Sequence, residues 1–241
     1  MTRGGTGPPP GGRAIGVLML DTTFPRPVGD VGNRNTWPFP VVYETVAGAS
    51  VERVIRQAAD GLVEPFVQAA RRLVARGAIG ISTSCGFLAR HQPLLASRLD
   101  VPVAASALLQ LAWLAPLLPA GRRAGIVTFD AVALDADTLK AVGAPADTPR
   151  VGLPPGSRLR ATIAGDLPML DRVAACREVV EAGRELCRRH PDVAAIVLEC
   201  TNLPPYRTAL AAATGRPVYD IGTLLHWFWH GLSATPPGTT R

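Results

Sequence analysis

Two of the four cysteines in this 241-residue chain stand in the same local context. The segments Ala78-Ile79-Gly80-Ile81-Ser82-Thr83-Ser84-Cys85-Gly86-Phe87 and Ala195-Ile196-Val197-Leu198-Glu199-Cys200-Thr201-Asn202-Leu203-Pro204-Pro205 each carry an apolar run into a cysteine flanked by hydroxyl or amide side chains. At the carboxyl end of a parallel strand, with a helix starting just behind it, a thiol meets a helix N-terminus that lowers its pKa and attracts anions, and open α/β sheets bind ligands there. The competing reading is two buried side chains, because free cysteine packs as a small hydrophobe. One such cysteine in each half of the chain weighs against that reading. Cys176 and Cys187 differ: eleven residues apart within one amphipathic helical pattern, they share a face and are expected to pack in the core. His226 and His230 lie four apart, a spacing open to metal binding, but Trp227, Phe228 and Trp229 between them favour packing. No cysteine–histidine spacing suggests zinc, so no metal site is expected.

These residues need strands to carry them, and periodicity supplies the strands. Apolar runs at Ala14–Leu20, Val41–Val46, Ala78–Ser84, Val101–Ala104, Ala124–Phe129, Ala194–Glu199 and Pro217–Asp220 alternate with helical stretches. That order predicts an α/β fold with largely parallel sheets, and continuous apolar runs belong to strands covered on both faces. Helices are expected at 60–76, capped by Asp60 and ended by Gly77, and at 106–118, 134–142, 171–190, 204–213 and 221–232. Residues 21–40, with Pro25, Pro27, Pro38 and Pro40, form a long loop after the first strand, and loops of that size usually cover or build a site. A second irregular stretch, 143–168, is expected as a flap or lobe connection.

Composition narrows the function class. With 47% apolar and 18% charged residues the chain is globular, neither disordered nor a coiled coil. The net charge of +6 comes from arginines scattered in ones and twos beside the single Lys140, with few aromatics between them, so no nucleic-acid partner is expected. The uncharged stretch Val101 to Ala120 is long enough to span a bilayer, but Pro102, Gln110, Pro116 and Pro119 divide it into a strand and a buried helix. Residues 1–13 read as a disordered leader, and Ala14 to Leu20 is too short for a signal-peptide core. The expectation is a cytoplasmic protein with no membrane contact, its cysteines held as thiols.

The segments Thr83-Ser84-Cys85-Gly86 and Glu199-Cys200-Thr201-Asn202, with the first strand ending at Leu20-Asp21-Thr22-Thr23, resemble the cofactor-independent aspartate/glutamate racemase superfamily. That superfamily includes hydantoin racemase, arylmalonate decarboxylase and maleate isomerase. The resemblance covers about residues 14–232, and Arg216-Pro217-Val218-Tyr219-Asp220-Ile221 is similar to the late strand by which such chains return to the first lobe. It implies two pseudo-symmetric lobes, 14–118 plus 215–232 and 119–214, with the active site in the cleft between them and 233–241 as a flexible tail. Many amino-acid racemases of the superfamily have Asn-Thr after the first cysteine, where this chain has Gly86-Phe87; glutamate racemases have His where it has Asn202.

What the resemblance implies chemically is inversion at the α-carbon of an amino acid or related small carboxylate, without a cofactor. One cysteine as thiolate removes the α-proton while the other, as thiol, delivers a proton to the opposite face. The sulfurs would lie roughly 7–9 Å apart, with one carbon between them within proton-transfer reach of each. The lobes must then lower the thiol pKa and stabilise an enolate-like intermediate, with Thr83, Ser84, Thr201, Asn202 and the backbone N–H groups following Cys85, at Gly86, and Cys200 as donors. Asp21 reads either as a substrate contact or as a turn residue, Thr128 as a cleft residue or a strand end. In the long loop, Arg34 with Asn33 and Asn35 reads as a carboxylate grip or as solvated polarity. A maleate-type cis–trans isomerase, a non-catalytic small-molecule-binding protein and a homodimeric assembly stay open alongside the racemase reading.

Overall fold

The computed structural model describes residues 12–234. Two four-stranded parallel sheets of the same design carry the chain. The first, β1 (Ala14–Leu20), β2 (Val41–Val46), β3 (Ala78–Thr83) and β4 (Val103–Ala104), has the order β2-β1-β3-β4. The second, β5 (Arg123–Thr128), β6 (Arg150–Gly152), β7 (Val193–Leu198) and β8 (Val218–Tyr219), has the order β6-β5-β7-β8. In each, the chain moves outward from the first strand, returns to its other side and continues away. The gap between β1 and β3, and its counterpart between β5 and β7, is therefore the point where successive connections diverge and leave a crevice at the strand ends. Each cysteine of interest stands one residue beyond the strand that borders this gap, after Ser84 and Glu199 respectively.

The helices are α1 (Val51–Ile55), α2 (Val63–Ala75), α3 (Gln92–Ser97), α4 (Gln110–Leu114), α5 (Ala136–Ala141), α6 (Arg158–Ala164), α7 (Arg172–Arg189), α8 (Arg207–Thr214) and α9 (Ile221–Ser233). On α2, Phe66, Val67, Ala70 and Leu73 recur at three- and four-residue spacing and are fully buried. Removing a Phe or Leu side chain from water contributes about 2 kcal/mol. One continuous apolar cluster joins Leu18, Ile81 and Leu108 of the first sheet's layer to Ile126, Val197 and Leu210 of the second's. A smaller cluster, with Ile15, Val17, Leu224, Leu225 and Phe228, sits under α9.

Several expectations shift. Asp60 lies in a turn and does not cap α2, which starts at Val63 behind Leu62; Gly77 does end it, with φ +92°. The helix expected at 106–118 is broken into 3-10 turns at Ala107–Leu109 and Ala115–Leu117 around α4, the second containing Pro116. The irregular stretch 143–168 contains both β6 and α6. β8 pairs with β7 and so belongs to the second sheet; the return to the first lobe is made by α9, which packs on β3 and β4. Asp220 and Thr223 start α9 with a reciprocal capping box. Of the expected leader, Arg13 is anchored to the Leu232 carbonyl, and residues 1–11 lie outside the described residues, as does the tail from 235 on. Among the described residues no helix is long and apolar enough to cross a membrane.

Candidate active site

Cys85 and Cys200, 8% and 7% exposed, line one narrow cleft between the two sheets. Each sulfur is brought there by the strand before it. Cys85 sits at the head of a 3-10 turn, Gly86–His91, and the Thr83 hydroxyl fixes that bend through the carbonyls of Cys85 (3.0 Å) and Ala105 (2.7 Å). Behind Cys200 the chain turns through Thr201 and Asn202 into a second 3-10 turn at Pro204–Tyr206. Thr201 donates to the Ser84 carbonyl at 2.6 Å, and Ser84 Oγ accepts from the Leu20 N–H at 2.9 Å. The two cysteine-bearing ends are thus tied to each other directly.

A polar chain runs from the second sulfur into the long loop. Cys200 Sγ donates to Asn202 Oδ1 at 3.4 Å, and Asn202 Nδ2 donates to Asp30 Oδ2 at 2.7 Å. Asp30 in turn accepts from Arg26 at 3.0 Å, and Arg26 donates to Thr22 and lies 4.3 Å over the Phe24 ring. Arg26, Phe24, Phe87 and Phe129 line the cavity with the sulfurs, and Val51, Ile55 and Ile163 complete its apolar wall. Glu199 lines it too. Its Oε2 accepts from the Thr128 hydroxyl (2.7 Å) and the Phe129 N–H (3.3 Å), while Oε1 is buried with no hydrogen-bond partner. Gly86 makes room for it: a Cβ there would collide with the Glu199 carbonyl and Oε1.

Burial pushes the Cys85 thiol up to about 12, and the neighbouring Glu199 pushes in the same direction; N–H groups of Phe87 and Leu88 aimed at the sulfur offset this only in part. Cys200 is raised well above its ordinary value, first by burial and then by Glu199. The expected lowering by helix N-termini is therefore corrected. The structures behind the cysteines are short 3-10 segments, and desolvation by burial outweighs them. Burial likewise raises Glu199 to about 7.

Of the residues singled out by sequence, Cys85, Cys200, Ser84, Gly86 and Asn202 meet in the cavity. Thr83 and Thr201 stand behind it as braces, and Thr128 reaches it only through Glu199. Asp21 is exposed and accepts from the Gly48 N–H, so it is a turn residue. Arg34 stacks over Tyr43 at 5.3 Å and Asn33 caps a turn through the Asn35 N–H, which leaves Arg26 as the loop's cavity arginine. Cys176 and Cys187 pack against the core, and His226 lies edge-on to Phe39. No cluster of three or more potential metal ligands occurs among the described residues. Sequence reasoning missed Arg26, Phe24, Phe87, Phe129 and Glu199. Only Glu199 left a local signal, a lone carboxylate closing an all-apolar strand.

The loop that carries Phe24 and Arg26 is held by the opposite lobe. Asp166, just beyond α6, accepts from the N–H groups of Thr23 and Phe24 at 2.7 Å each and from the Thr23 hydroxyl at 3.0 Å. Arg56–Asp130 (2.9 Å) and Arg90–Asp135 also bridge the lobes.

No family model matches the chain. It is 30% identical to dimethylsulfoniopropionate lyase 7 of Emiliania huxleyi over 234 residues, 92% of this chain and 68% of that protein. A dimethylsulfoniopropionate lyase of Durusdinium sp. clade D is 29% identical, covering 95% of this chain and 80% of its own. Lyase 5 of Emiliania huxleyi is 31% identical, and this chain spans 46% of it. Among solved structures, an allantoin racemase from Pseudomonas fluorescens matches with a TM-score of 0.60 at 16% identity, over 94% of this chain and 99% of that one. An arylmalonate decarboxylase variant matches at 0.59 and 18% (95% and 98% covered), and a glutamate racemase from Bacillus anthracis at 0.56 and 14% (92% and 83%). These structural likenesses are likenesses of fold.

Proposed function

Because the chain belongs to the dimethylsulfoniopropionate lyase family and has the fold of the aspartate/glutamate racemase superfamily, we propose that it is a cofactor-independent lyase acting on a small β-sulfonio carboxylate. The observation that carries this reading is one cavity holding two thiols, an arginine and three phenylalanine rings. Arg26 meets the carboxylate, and the ring faces meet the sulfonium, an attraction of about 2 kcal/mol once water is excluded. A cysteine thiolate removes the α-proton. The electron pair passes through an enediolate-like carboxylate into the new C=C bond, and the C–S bond breaks with its electrons leaving on dimethyl sulfide. Acrylate remains, and the protonated thiol returns its proton to water. Both sulfurs have backbone N–H groups that favour the thiolate, those of Phe87 and Leu88 at Cys85 and that of Asn202 at Cys200; Cys85 takes the part of base in this reading because Cys200 also donates as a thiol to the Asn202 side chain.

The lyase relatives point away from the isomerase reaction that the racemase resemblance implied. The removal of an α-proton is common to both; elimination needs one base and inversion needs two. The second thiol is the observation that keeps inversion as the alternative reading. Incubation with dimethylsulfoniopropionate is expected to release dimethyl sulfide, measured in the headspace, and Cys85→Ala and Cys200→Ala are each expected to lower kcat at least about 100-fold. Absence of sulfide, with α-deuterium uptake by amino-acid carboxylates in deuterated water, would instead establish the racemase reading.

A further inference from the structure

The elimination above leaves Glu199 without a part. Its side chain is buried, 1% of the residue being exposed, and one oxygen is fixed by Thr128 and Phe129 while the other has no partner. It shares the cavity with Phe24, Phe87 and Phe129. Arg26, the cavity's arginine, is already paired with Asp30. A carboxylate placed so is uncompensated unless a cation arrives with the ligand. A fully alkylated sulfonium or ammonium centre has no hydrogen to donate, so it is held by charge and by ring faces, which are the two things this wall offers.

We propose that Glu199 is the specificity-determining counter-charge of the site, restricting it to zwitterions with a carboxylate at Arg26 and a permanent cation against Glu199 and the phenylalanine rings. This rests on the lyase reading for the identity of the cation, but not for its presence. A consequence reaches the thiols. After burial, Glu199 is the next cause that disfavours ionisation of both cysteines, and a cation seated on it offsets that part, so the substrate favours the thiolate it needs.

The test compares binding of the zwitterion 3-(trimethylammonio)propanoate with its carbon isostere 4,4-dimethylpentanoate, a carboxylate whose tail carries no cation, by calorimetry at pH 8. Wild type is expected to bind the cationic compound at least 30-fold more tightly, and Glu199→Gln, which keeps the shape and the Thr128 contact, to discriminate less than about threefold. Equal binding of the two compounds by wild type overturns the inference. So does a Glu199→Gln protein that discriminates as wild type does, even if sulfide release shows the lyase reading to be right. Selective binding lost in the variant, from a wild type that releases no sulfide, upholds Glu199 and overturns the lyase reading.

A second measurement needs no variant. The groups facing Glu199 are Asp130, clamped between Arg56 and Arg160, the two thiols, and Arg26 across the cavity on Asp30. The thiols stay protonated at neutral pH, so Glu199 is the group that gains charge near pH 7. Affinity for the zwitterion is expected to rise through that range while that of the carboxylate anion, which has no cation to set against Glu199, does not; parallel curves overturn the inference.

Discussion

A carboxyl and two thiols buried side by side are each disfavoured as anions, first by burial. The sign for stability follows from Glu199. Below its ordinary range, near pH 4.5, folded and unfolded chains both hold the proton; above it the unfolded chain releases the proton first, so folding stability falls as pH rises, until the folded group ionises at about 7. The loss amounts to roughly 3 kcal/mol by pH 8. Glu199→Gln is therefore expected to be more stable than wild type in urea unfolding at pH 8 and no more stable at pH 4; a difference independent of pH would contradict the burial argument. Cys85 and Cys200 were legible in the sequence because each stands alone after an apolar run. Glu199 left only the sign of a lone carboxylate closing an apolar run; its packing against Gly86, supplied by the other half of the chain, has no local signal.

Elements were legible where one residue type dominates a run. β1, β3, β5 and β7 are continuous apolar segments, and their positions agree with expectation to within a residue at either end. β6 is three residues, Arg150-Val151-Gly152, inside a proline- and glycine-rich stretch, and nothing local distinguishes it from loop. The same stretch, expected as a flap or lobe connection, supplies α6, whose Ile163 lines the cavity, and Asp166, which holds the loop bearing Arg26. Slight burial works against ionisation of Asp166, but the N–H groups of Thr23 and Phe24 prevail and hold its pKa below the ordinary carboxylate value. The contact therefore persists throughout the neutral range and weakens only as pH falls past that lowered value. Asp166 has φ +47°, so Asp166→Gly removes the carboxylate without straining the backbone. The expected result is a KM raised about tenfold at little change in kcat, with a stability loss of about 1 kcal/mol, as for an exposed hydrogen bond. Unchanged KM would show that the loop is ordered without this contact.

At the scale of the molecule, two sheets that look like two lobes share one apolar cluster, and Thr201–Ser84, Asn202–Asp30 and Arg56–Asp130 cross between them. Calorimetric unfolding is expected as a single transition with equal calorimetric and van't Hoff enthalpies; two resolved transitions would mean that the lobes fold separately. The repeat of sheet order was foreshadowed by the twice-occurring strand–cysteine–turn. The sharing of the core was not, since apolar runs announce burial without naming the partner layer. Gly86 acquires a meaning here beyond conformation. Its Cα rests against the main chain of Glu199, so the clearance between the lobes at the chemical centre is set by a methyl group that is absent. A side chain at that position forces the Glu199 main chain and carboxyl to move, so the fit of the two lobes at this point is read from a residue that contributes no side-chain atom to the wall.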